Sequence, residues 1–157
     1  MPGGTPSPVG KATLRAVGDI YLTDAMLDAA RCSDGSYDFS AQFAGIIPAL
    51  AEADLTLANF EGNFDSAPYG RDLASYPDAL AKTLSAAGID LLQTANTFSI
   101  FNGMAGMERT KSVIEAQGMT AFGTYVSAAD RESNQVIVRE INGIRIAFVA
   151  FTKGLGG

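Results

Sequence analysis

The chain's 157 residues and 47% hydrophobic content suit one domain with one sizeable core, which excludes disordered and collagen-like architectures. Its 11 basic and 17 acidic residues leave a net charge of −6, the wrong sign for a surface that reads nucleic-acid phosphates. There is no histidine and no tryptophan, and Cys32 is the single cysteine, so zinc fingers, disulfide scaffolds, Ser-His-Asp triads and Cys-His dyads are excluded together.

Met1 to Gly10 is rich in proline and glycine, without apolar periodicity, and reads as a disordered tail before a domain over 11–157. No run approaches about 18 apolar residues, and no basic region followed by an apolar run opens the chain, so neither a spanning helix nor a secretory signal is expected. Ala12, Leu14 and Ala16 alternate with Thr13 and Arg15, which predicts a first strand that breaks at Gly18-Asp19. Phe43, Ile46, Ile47 and Leu50 recur at helical spacing, but Pro48 removes an amide donor and prevents one regular helix. Leu55 to Phe60 is a short strand. Pro77 stands at the first position of a helix carrying Leu80 and Leu84, which Gly88 stops before a buried strand over Ile89 to Leu92. A second helix, around Met104 to Gln117, ends at Gly118 before a strand from Met119 to Phe122. Two successive helix-glycine-strand junctions predict βαβ units and a parallel sheet. Val136 to Ile141 and Ile144 to Phe151 then flank Asn142-Gly143, the sequence signal of an antiparallel hairpin.

In such folds polar groups converge just past the carboxyl ends of the strands. Asp19, Glu61 and Asn96 each follow a predicted strand, and two carboxylates with an amide oxygen suit a hard divalent cation or a polar ligand. Taken singly, each also reads as a turn former or helix cap. Cys32 has no partner and reads as passive. Gly103 to Gly106 lacks a following Lys-Ser or Lys-Thr and reads as close helix packing rather than a phosphate loop. Met104, Met107 and Met119 read as core filling. Arg71 could meet an anionic ligand, but reads first as a solvated loop side chain.

Val17-Gly18-Asp19-Ile20, Ala53-Asp54-Leu55 with Asn59-Phe60-Glu61, Gly88-Ile89-Asp90 leading into Ala95-Asn96, then Gly103, Thr110 and Gly118, resemble the bacterial capsule-synthesis CapA family, called PgsA in poly-γ-glutamate systems. The resemblance runs from Leu14 to Thr152. It implies an α/β fold of the calcineurin-like metallophosphatase type, with a β-sheet packed with helices. The chain would then be the amino-terminal half of a two-sheet sandwich, here apparently truncated. It also implies a manganese or magnesium site with Asp19 and Glu61 as its acids and Asn96 matching the first Asn of the third motif, whose second Asn, the expected ligand, is here Thr97; a role in poly-γ-glutamate capsule biosynthesis at the cell surface; and an anionic polymer or capsule-synthesis machinery as partner. Family members usually read Ala-Asn-Asn-His with an Asp three residues later; here Ala95-Asn96-Thr97-Phe98 stands, with Phe101 in the Asp position. Phenylalanine neither ligates a metal nor moves a proton, so the departure predicts a degenerate metal site and a weak or inactive hydrolase. The alternative is a non-catalytic binding or scaffolding module using the same cleft. One sheet of a sandwich leaves an apolar face bare, so either a second copy pairs with it or the hairpin covers it.

Overall fold

The computed structural model describes residues 10–154, so the tail expected over 1–10 lies outside the described residues except for Gly10. β1 (Leu14–Ile20), β2 (Leu55–Phe60), β5 (Leu91–Gln93) and β6 (Thr120–Phe122) form one wholly parallel sheet in the order β1-β2-β5-β6. Between β1 and β2 lie three short helices: α1 (Asp24–Ala30), α2 (Ser40–Phe43) and α3 (Ile47–Leu50). The expected single helix is divided into α2 and α3, with Pro48 in the first turn of α3, where its missing N–H costs nothing. Between β2 and α4 (Ala79–Ala86), the strands β3 (Asn63–Phe64) and β4 (Ser75–Tyr76) pair in parallel. α5 (Gly103–Ala116) joins β5 to β6, and α6 (Ala128–Asn134) leads into the antiparallel hairpin of β7 (Ile137–Ile141) and β8 (Ile144–Phe148).

Side-chain alternation divides the sheet into two buried faces. Val17, Ile20, Ala58, Phe60, Leu92 and Ala121 face the helices and meet Leu27, Leu50, Leu80, Leu84 and Ile114. Leu55, Leu57, Leu91 and Phe122 face the other way and meet Ile137, Ile141 and Phe148 of the hairpin. The hairpin is thus a third layer over a face the sheet would otherwise expose. Its turn takes positive φ at both Asn142 (51°) and Gly143 (81°), the geometry that matches the twist of the strands it joins. The Asn142 amide donates to the Lys11 carbonyl at 2.7 Å and ties the turn to the chain entering β1.

The glycine stops behave as expected: Gly88 (φ 91°) ends α4 and Gly118 (φ 80°) ends α5. α4 begins two residues after Pro77, because Asp78 rather than the proline occupies the cap, and Arg109 of α5 donates to both Asp78 carboxylate oxygens at 2.8 and 2.9 Å. Gly106 and Thr110 bring α5 against β3. The Phe64 amide donates to the Thr110 hydroxyl, which donates to the Gly106 carbonyl, so Gly106 serves close packing, whereas Gly103 (φ 70°) opens the helix with free space about it. Met107 and Met119 are buried, while Met104 is 46% exposed. No helix among the described residues is long and apolar enough to cross a membrane.

Candidate functional site

Asp19 does not follow β1, as the spacing suggested, but stands inside its last turn of pleat. Leu14 pairs with Leu55 and Ala16 with Leu57, yet Asp19 rather than Gly18 pairs with Asn59. One extra residue in β1 therefore inverts the pleat between Ala16 and Asp19. In an unbroken register Asp19 would point among the helices; the bulge turns it to the opposite face and sends Ile20 into the core beside Phe60.

The rung that Asp19 joins is polar across three strands. Asn59 pairs with Asp19 on one side and with Gln93 on the other. The Asn59 amide donates to Asp19 Oδ1 at 2.7 Å, and Asn96, in the loop after β5, donates through Nδ2 to Asn59 Oδ1 at 3.1 Å and to the Phe60 carbonyl at 2.7 Å. The Gln93 side chain donates to the Ala95 carbonyl, leaving its Oε1 buried with no donor. Asn59 entered the sequence reading only as part of a motif, and Gln93 not as a site residue, because polar groups were sought after strands, whereas these two lie within β2 and β5.

Glu61 lies one position beyond β2, its amide donating to the Ile20 carbonyl at 3.0 Å. Its carboxylate is half-buried and, among the described residues, takes no hydrogen bond or ion pair. Gly62 follows because a Cβ there would collide with the Tyr76 ring. That ring packs at 6.1 Å from Phe60, itself stacked on Phe64 at 4.5 Å. Burial pushes the Tyr76 phenol above its usual pKa and nearby Glu61 adds to the rise, while the Leu22 carbonyl and Arg71 pull the other way. The strand ends thus gather Asp19, Glu61, Asn96 and the amides between them. Asn96 is present but turned: its Oδ1 accepts the Phe98 amide at 3.0 Å, so it can offer that oxygen to a cation only by releasing Phe98.

Acids at the opposite edge of the sheet have a different job. Asp54 accepts from the Thr13 amide and Asp90 from the Thr56 amide, each at 2.7 Å, so these carboxylates cap the starts of strands. Asp19 keeps one oxygen without a donor among the described residues, and Glu61 keeps both. Every candidate donor at this edge is oxygen, the chemistry of magnesium or manganese rather than of a soft metal. Among the described residues no three His, Cys, Asp or Glu side chains gather as a metal cluster, so a cation here would rest on two carboxylates, amide oxygen and water.

Arg71 is not a solvated loop side chain. Its guanidinium carbon lies 4.8 Å from the Tyr21 ring centroid and 4.7 Å from that of Phe98. An open concavity of about 300 Å³ lies beside this loop, lined by Leu73, Ser75, Phe101 and Asn102, and another of about 330 Å³, lined by Gly123, Tyr125, Arg131 and Val149, lies past β6. Cys32 is exposed in a turn closed by the Ser36 carbonyl, with no second cysteine to pair with.

A search of curated proteins finds no match to the chain. A profile of the bacterial capsule synthesis protein family PGA_cap matches residues 13–156.

Proposed function

Because the chain belongs to the bacterial capsule synthesis protein family PGA_cap, we propose that its strand-end cleft is a degenerate divalent-cation site serving the assembly of a poly-γ-glutamate capsule. Asp19 and Glu61 hold the magnesium or manganese ion, and Asn96 joins them when it turns its amide. The observation that supports this is the contrast between edges: the acids at the strand starts are bonded to backbone amides, while those at the strand ends have oxygens to spare. Asn59 holds Asp19 in place, and the orphaned Gln93 Oε1 in the same rung marks a position that a cation or its water would satisfy.

A cation at this position supplies Lewis-acid polarisation of a carbonyl or phosphoryl oxygen. The surrounding residues supply no efficient proton donor: the chain has no histidine, and Phe98 occupies the position where the family usually carries one. Hydrolysis of a phosphoester or an amide-linked polymer is therefore weak. The same reading puts the protein at the cell surface, where capsule is assembled, with an anionic polymer or the synthesis machinery as partner.

Phe98 also favours a second reading, a non-catalytic binding or scaffolding module, because its ring covers Arg71 where a proton donor would otherwise stand. Calorimetric titration with manganese, paired with an assay on a generic phosphoester, separates the two. The cation reading expects manganese binding that Asp19→Ala removes, with little or no turnover. Silence in both assays, unchanged by Asp19→Ala, leaves the module.

A further inference from the structure

We propose that Arg71 is the anion-binding residue of the strand-end cleft and takes a carboxylate group of the ligand. This deepens the reading above, since it rests on that cleft being where ligand binds. Tyr21 stands two residues after Asp19, and Phe98 two residues after Asn96, so the two rings that cover the guanidinium come from the ends of β1 and β5. Arg71 reaches them from a loop fixed at its base. Gly70 and Ser75 exchange backbone hydrogen bonds at 3.1 and 3.3 Å, the Arg71 amide donates to Asp24 Oδ1 at 2.9 Å, and the Ala74 amide donates to the Arg71 carbonyl.

A guanidinium covered by aromatic rings keeps its N–H edge clear of them, because stacking occupies its faces while its five donors lie in its plane; part of that edge faces the Tyr76 phenol and the remaining donors are available. Among the described residues Arg71 forms no ion pair, so no carboxylate of the chain competes for it. Most long cationic side chains lose rotamer freedom only on binding; this one is already held, which favours a planar, two-oxygen partner. On a chain of net charge −6, a single fixed cation orients an acidic ligand rather than attracting it from a distance.

The test is calorimetric titration of the full chain in metal-free, low-salt buffer with a short γ-linked glutamate oligomer and, separately, inorganic phosphate. The oligomer should bind the wild type, Arg71→Gln should weaken it about tenfold or more, and Arg71→Lys should fall between, keeping charge but losing the planar fork. Losing the two ring contacts should lower the thermal midpoint of Arg71→Gln by roughly 5 °C, leaving it folded at the titration temperature, while Arg71→Lys keeps a cation on the rings and stays nearer the wild type. Binding of phosphate alone, equal oligomer affinity in wild type and Arg71→Gln, an Arg71→Lys affinity no better than that of Arg71→Gln, or no binding of either anion would overturn the assignment. Because metal is absent, a failure of manganese to bind sinks the cation reading and leaves this result legible, and the reverse also holds.

Discussion

Asn96 commits its whole amide to the scaffold, donating to Asn59 and Phe60 and accepting from Phe98. A cation that recruited its oxygen would have to break the last of these bonds, a cost of about 1 kcal/mol, or roughly fivefold in affinity. The neighbouring positions set the chemistry. The paired change Thr97→Asn with Phe98→His restores a ligand and a proton carrier, and manganese affinity measured by calorimetry should rise about tenfold. No change would count against the placement of this motif. Asp19, Glu61 and Asn96 were visible in the sequence because strand ends are predictable places for polar groups. Arg71 was visible only as a loop side chain that could meet an anionic ligand; its two covering rings were not, because nothing in the spacing between Glu61 and Phe98 says that a loop after β3 returns to Tyr21 and Phe98. Cation–π contact is a tertiary event, and each such contact is worth about 0.5–1 kcal/mol at an exposed site.

Elements were legible where backbone chemistry punctuates them. Gly88, Gly118 and Asn142-Gly143 all adopt the positive φ that their positions require, so the helix stops and the hairpin fall where expected. The bulge in β1 was hidden, since Val17-Gly18-Asp19 is compatible with an ordinary strand and only its partner reveals the extra residue. α1 and α6 passed unnoticed because neither has a broad apolar face, although Thr23 and Ser127 are N-caps accepting from Met26 and Asp130 amides. α6 is held mainly by Asp130, whose carboxylate accepts from Lys111 at 2.6 Å, Asn134 at 2.7 Å and the Val126 amide at 2.9 Å. Desolvation pushes its pKa upward, but Lys111, the Val126 amide and Asn134 together outweigh it and hold the carboxyl below its usual value. A depressed folded-state pKa contributes stability that is fully present above the unfolded value near 3.9 and is lost as pH falls toward the folded one. Urea unfolding should therefore show stability declining below about pH 4, and Asp130→Asn should flatten that decline while costing about 2 kcal/mol at neutral pH.

The whole molecule is a layered stack of helices, parallel sheet and hairpin, and only its middle layer carries the strand-end site. The expected bare face of the sheet is the one on which the hairpin lies, through Phe122 and Phe148 at 6.4 Å in edge-to-face contact with Ile137 and Ile141 beside them. Phe122→Ala should cost about 3–5 kcal/mol in urea unfolding, because Phe122 is 5% exposed and lies between two layers that close poorly over a cavity. A loss below about 1 kcal/mol would mean that the hairpin is not a structural layer.

The claim on which the functional account turns is that the acids at the strand ends hold a cation. Anomalous diffraction from crystals soaked in manganese tests it without reference to any substrate. The account predicts a single strong peak within ligand distance of the Asp19 and Glu61 carboxylates, absent from Asp19→Ala crystals. A peak only at Asp54 or Asp90, or none at the strand ends at saturating manganese, would contradict it.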